Sequence, residues 1–492
     1  MGAKARRPLR GRGYAAAARA DAPNFIKIGS DNMNATENNG AISDNRILHM
    51  YQNYLSEHHK YDDRLKSFRL CGSQGNKNPA FQNHIVITRS KSGAKSSILG
   101  LNSCHSSWGC PRCTAKILMN YGIRIAAAID ALATKNLIPF MVTFTMPHHR
   151  KMPCKLTFDI LRNAWQKFRR ENKKARYKTD RKNYRGANPY GKFCEELGIK
   201  YFVKMYEFTW GEDNGWHPHI HAIYWVPAHN LSKVKDYHQS LIDYWWNCLK
   251  KSSVQELNKI YPEEILNNKR RVDEYYTDWR KNPVTEHRCV YIEFDEKNCP
   301  VKEVSAKYVS GVGEWLAYEV SGSTTTTRKI AAEGHFNIWQ LFEKAYDDLP
   351  RRDFWLELIT EYFLATRGHK RLSLTPGLNS IVKQWHNIKG YEAILKKKDI
   401  SDTREKWQVV TWFTKEQWYN IYCLNLKYGT IIDIILELAK LDNGFHAINK
   451  MLEMYGLEKV RRTKRFRMFK EYFEHNYLNY ENTCSYLRKC VA

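Results

Sequence analysis

An α+β fold, built on antiparallel strands and flanked by helices, is what this sequence predicts, and three observations predict it. Residues 201–210 and 217–226 are rich in aromatic and β-branched side chains, and Gly211-Glu212-Asp213-Asn214-Gly215 joins them, which reads as a β-hairpin. Stretches with helical apolar spacing precede and follow this pair. Upstream, Cys104, Cys110 and Cys113 cluster in a pattern that suits a metal rather than a disulfide scaffold.

Taken in order, residues 1–45 lack hydrophobic periodicity and read as a basic, disordered tail. Its first 23 residues are rich in Arg and Ala, with Asp21 the only acid. That composition fits a transit peptide or an arm that touches a nucleic-acid backbone. Residues 46–134 form an N-terminal region carrying the cysteines. Within it, residues 117–137 look helical, with Leu118, Ile123, Ile125, Ile129 and Leu132 as the apolar stripe. Residues 135–385 hold a strand at 140–145, a helix at 156–168, the hairpin, a helix at 231–249, a strand at 291–294 and a helix at 301–320. Residues 386–492 read as a predominantly helical accessory region with a basic cluster at 459–470.

Lys and Arg number 79 against 51 Asp and Glu, a formal charge of +28. Such an excess points to a polyanion, nucleic acid before membrane. No apolar run reaches the ~18 residues of a membrane span, and no secretory signal is visible, so a cytoplasmic location is expected. The run from Lys167 to Lys192 has eleven basic residues and two acids, with Tyr177, Tyr184 and Tyr190 interleaved. Lys173, Lys174, Arg176, Arg181, Lys182 and Arg185 are its candidate phosphate contacts. No GxxxxGK[ST] loop occurs, which argues against a fused ATPase or helicase.

The most informative phrase is Gly215-Trp216-His217-Pro218-His219-Ile220-His221-Ala222. Alternate residues of a strand share a face, so His217, His219 and His221 line one side. A turn centred on Asp213 sets Glu207 opposite His219 on that side. Two imidazoles and a carboxylate make a mixed nitrogen and oxygen site suited to Mg²⁺ or Mn²⁺.

His219-Ile220-His221 resembles the HUH motif, and the phrase from Glu207 to His221 resembles plasmid rolling-circle replication initiators of the single-tyrosine HUH endonuclease family. Phe144-Thr145-Met146-Pro147-His148, the cysteine segment 104–113, and residues 308 and 371–378 extend the resemblance over roughly 65–385. The resemblance implies an antiparallel sheet of about five strands flanked by helices. It also implies nicking and rejoining of single-stranded origin DNA through a 5′-phosphotyrosine. Single-stranded DNA, origin duplex and a host helicase and polymerase are the implied partners, in a prokaryotic cytoplasm. The nucleophile it implies is Tyr308, on a helical stripe with Val301, Val304 and Val312. Tyr318 is the fallback, and Gly311 stands where many relatives have lysine.

The Cys110-Pro-Arg-Cys113 knuckle has the thiolate spacing of a structural Zn²⁺ site. Cys104 adds a third ligand, and Cys71, which matches the family's upstream cysteine, is the leading fourth, with His105 and His84 as alternatives. An HUH transposase or relaxase shares the same chemistry. A non-catalytic zinc-bearing nucleic-acid-binding protein is the rival of another class, and strand transfer discriminates it. A metallohydrolase of small substrates is disfavoured by the positive charge.

Overall fold

The computed structural model describes residues 44–75, 81, 84–170, 188–281, 289–293, 334–384, 407–428 and 430–476. The chain opens with α1 (Asp44–His58) and the one-turn α2 (Lys66–Arg69), then the strands β1 (His84–Ser90) and β2 (Ser96–Leu99). Helix α3 (Thr114–Ala133) leads to β3 (Leu137–Phe144), α4 (Cys154–Phe168) and α5 (Pro189–Glu196). The hairpin β4 (Phe202–Gly211) and β5 (Gly215–Pro227) follows, then α6 (His238–Ile260), α7 (Ile265–Lys281) and β6 (Val290–Glu293). Beyond lie β7 (His335–Phe336), α8 (Ile338–Asp347), α9 (Arg352–Thr366) and β8 (Leu372–Leu374). The chain continues through β9 (Trp407–Thr414), α10 (Lys415–Tyr428), α11 (Ile431–Lys440), α12 (Gly444–Met454) and α13 (Lys464–Asn476). No described helix is long and apolar enough to cross a membrane. The expected helix at 301–320 lies outside the described residues.

Strands β3 to β8 form one six-stranded sheet in the order β6-β3-β5-β4-β7, with β8 also pairing to the outer edge of β4. Every pairing is antiparallel. The alternation of side chains decides how this sheet is covered. Phe140, Val142, Phe144, Tyr206, Phe208, Ile220, Ala222 and Tyr224 point to one face. There they bury against Phe158, Trp165 and Phe168 of α4, Phe193 of α5 and Trp245 of α6. The rings interlock edge to face, with Phe144 centred 5.1 Å from Phe168 and 5.1 Å from Trp245. Glu361 of α9 ties this layer together, accepting from Trp216 Nε1 at 2.8 Å and from the Cys154 backbone N–H at 2.7 Å.

The opposite face is only partly covered. Met141, Val203, Met205, Ile223 and Trp225 pack against Ile125, Ile129 and Leu132 of α3, and against Leu378 and Val382. Further along the same strands, towards the 211–215 turn, the face carries His221, His219 and His217. One strand pattern therefore makes a core at one end and a polar site at the other.

The second sheet was not evident in the sequence. β9 pairs antiparallel with β1 from Trp407 to Thr414, and β2 flanks β1 on the other side. Among the described residues beyond 385, expected to be helical, the first element is thus a strand, because Trp-Gln-Val-Val-Thr-Trp-Phe-Thr is aromatic or β-branched at every position but Gln408. Ile85, Ile87 and Phe413 of this sheet share a core with Trp418, Ile431, Ile435, Ile448 and Phe466.

Candidate metal centres

The 215–221 phrase becomes strand because Gly215 permits the turn that feeds it. Its φ is +72°, and a Cβ there would lie 2.8 Å from Arg150 Cα. The register is the one a turn centred on Asp213 demands: Glu207 lies opposite His219, and Met205 opposite His221. Glu207 Oε2 sits 3.1 Å from His219 Nε2 and 2.8 Å from His221 Nε2. Cis ligands on a cation with ~2.1 Å bonds are about 3.0 Å apart, so these three atoms have the spacing of a shared ion. Glu207 and His221 are buried, while His219 is partly open. The set is compatible with metal binding, which exposed histidines scattered along a strand would not be.

Neighbouring strand β3 orients the imidazoles. Thr143, opposite His221 in register, places Oγ1 3.0 Å from His221 Nδ1. With Nδ1–H donating to this hydroxyl, the His221 Nε2 lone pair is directed at Glu207 and any ion there.

His217 takes a different set of partners. His148 Nδ1 faces the Asn214 carbonyl at 3.0 Å and must donate to it, which leaves His148 Nε2 as an acceptor. His217 Nδ1, 2.5 Å away, is then the donor to His148. His217 Nε2 accepts from the Thr145 hydroxyl at 3.2 Å. Burial, reinforced by His148 and His219, holds His217 well below the usual imidazole range, and burial lowers His148 as well. His217 shares the strand face of the other two but is engaged in a neutral hydrogen-bonded chain. Sequence reasoning missed Thr143 and the His148–His217 pairing. Their signal was the alternating Thr143-Phe144-Thr145 on a strand beside the histidines.

The second cluster gathers Cys71, Cys104, Cys110 and Cys113, whose sulfurs lie within 4.8 Å of one another. Cys71 Sγ is 3.7 Å from Cys110 Sγ and 3.6 Å from Cys113 Sγ. Thiolates ~2.3 Å from a tetrahedral ion are about 3.8 Å apart, so the set fits one zinc-sized ion. Hydrogen bonds from Cys104, Cys110 and Cys71 hold Cys113 well below the ordinary thiol range, favouring its thiolate. The knuckle is a tight turn, with the Cys113 and Thr114 N–H groups both donating to the Cys110 carbonyl, and α3 starts at once. Arg371 joins this loop to the sheet, donating to Ser107 O at 3.1 Å and to Tyr206 O at 3.3 Å. His105 and His84 are not in the cluster.

Tyr308 and Tyr318 lie outside the described residues, as do Lys173, Lys174, Arg176, Arg181, Lys182 and Arg185.

No protein-family profile matches the chain, and no solved structure matches it. A protein named "Protein rep" from Streptomyces lividans is 30% identical to it over 150 residues, covering 28% of this chain and 32% of that protein. The chain therefore matches only about a third of that relative's length. Over that part, this chain is similar to a Rep protein.

Proposed function

We propose that this chain is an HUH-type replication initiator that nicks and rejoins single-stranded origin DNA. The observation that carries the reading is the carboxylate of Glu207 set between two alternate histidines of one strand at 3.1 and 2.8 Å. The Rep likeness, the antiparallel sheet that displays this centre on a partly open face, and the charge of +28 all favour it.

In this reading Glu207, His219 and His221 hold Mg²⁺ or Mn²⁺, which withdraws charge from the scissile phosphate when bound. Thr143 accepts from the Nδ1–H of His221 and orients the ring, and the basic surface retains the DNA strand. The Tyr308 oxygen attacks phosphorus and forms the P–O(Tyr) bond. The P–O3′ bond breaks, and the tyrosine proton passes through solvent to the departing 3′-oxygen. The products are a 5′-phosphotyrosine and a 3′-OH that primes synthesis. Attack by a later 3′-OH reverses the step and rejoins the strand. The four cysteines hold structural Zn²⁺ and fix the N-terminal region against the sheet.

Peptide mapping of the covalent adduct tests this. DNA is expected on the peptide holding Tyr308, with no adduct from Tyr308→Phe and normal adduct from Tyr318→Phe. A chain that binds DNA but never forms an adduct is a non-catalytic zinc-bearing binding protein.

A further inference from the structure

On the helix-covered face of the sheet, away from the histidine centre, positive charge outnumbers negative. Lys155, Asp159, Arg162 and Arg169 recur along α4 at helical spacing, on one side of the helix. Asp159 is the sole acid among these four, and Lys155 at 2.6 Å and Arg162 at 3.1 Å already share it. Arg162 Nε is buried with no hydrogen-bond partner among the described residues. Arg169 lies over the Phe202 ring at 4.2 Å and near Trp165 at 5.8 Å.

Lys204 of β4 completes the group. It is only 8% exposed, yet among the described residues its ammonium lies against aromatic faces, Tyr206 at 3.8 Å and Trp165 at 5.9 Å. Burial first, then Arg169 and Arg162, pull its pKa down to about 7. His369, stacked edge-on to Phe158, is lowered too, chiefly by burial and then by Arg162, with Asp159 opposing and Lys155 and Lys204 adding to the shift. A buried cation beside two others, with no counter-charge, is held in an unfavourable state. An anion set against these cations relieves it.

We propose that Arg162, Arg169 and Lys204 form a binding site for a backbone phosphodiester of single-stranded nucleic acid. Three features select a backbone rather than a small phosphorylated molecule. The Lys155 side chain is 69% exposed and Arg169 is exposed, so this side of the helix is open to a continuing chain. Arg169 and Arg170 also begin the basic run at the end of α4. The charge of +28 favours a polyanion as well. Aromatic walls under the cations exclude water and strengthen each contact.

The site is independent of the chemistry assigned to the histidines, so its test uses the full chain carrying His219→Ala and His221→Ala as background. Oligo-dT binding is measured against salt for this background and for added Lys204→Met or Arg169→Gln. Arg169 is exposed, so its variant keeps the test valid where the buried Lys204→Met fails to fold. Each phosphate contact contributes a slope of about −0.7 in log affinity against log salt on single strands. Both variants are expected to weaken binding at low salt and to make the slope shallower by about that amount. NMR of the isotope-labelled lysines is expected to show the Lys204 resonance moving on addition of oligo-dT. Unchanged slopes in Arg169→Gln, or a Lys204 resonance that responds to inorganic phosphate but not to oligo-dT, would overturn the assignment.

Discussion

Glu207→Gln keeps the shape of the side chain and removes its charge, so it separates ion binding from folding. It is expected to abolish tight Mn²⁺ binding, followed by electron paramagnetic resonance, while the thermal midpoint stays near that of the parent. Thr143→Val removes the hydroxyl that faces His221 Nδ1 and should weaken Mn²⁺ affinity about 10- to 100-fold. Unaltered affinity in Thr143→Val means that the threonine does not orient the imidazole. The pairing of Glu207 with His219 was legible in the sequence, because a short hairpin with a defined turn fixes its own register. Thr143 was not, because its partner lies 78 residues away and the register between β3 and β5 is set only by the fold. The His148–His217 hydrogen bond was hidden for the same reason, the two lying 69 positions apart in the chain.

Elements show the same division between local and distant causes. The 211–215 turn rests on Gly215, whose positive φ and close approach to Arg150 leave no room for a side chain. Gly215→Ala should destabilise the fold by about 1–3 kcal/mol or more, read as a lower midpoint in urea unfolding. An unchanged midpoint would show that the turn relaxes freely. The cysteine knuckle was legible from its spacing, since both thiolates lie on one tight turn. Its setting was not: Gln52 of α1 donates to the Cys71 carbonyl at 2.8 Å and Trp418 of α10 to the Gly72 carbonyl at 3.1 Å. Cys110→Ser/Cys113→Ser is expected to lose about one bound zinc per chain by elemental analysis and to expose the Trp418 environment by fluorescence. Zinc content equal to the parent's would rule out the cluster as its site. β9 escaped notice because the residues that follow it are helical and its strand partner, β1, lies more than 300 residues upstream.

Across the whole molecule, these distant pairings bind the two ends of the described chain into one structure. β9 fills the edge of β1, and helices α10 to α13 share its core, so the described residues between 407 and 476 are part of the fold of residues 84–99. A chain ending at 406 leaves the β1 edge and an apolar core open, and is expected to be insoluble or to lose its cooperative unfolding transition. A soluble, cooperatively folded 1–406 product would show that the second sheet is dispensable. In the proposed function the charge of +28 and the partly open histidine face act at the same scale, one to retain a polyanion and the other to present ligands to it. The most direct measurement is cleavage of a single-stranded DNA circle bearing the cognate origin, with Mn²⁺ and with EDTA, by the parent chain and by His221→Ala. Linear DNA and covalent adduct are expected only from the parent with Mn²⁺, with DNA affinity largely kept in the variant. Equal cleavage in EDTA, or by His221→Ala, contradicts the proposed function.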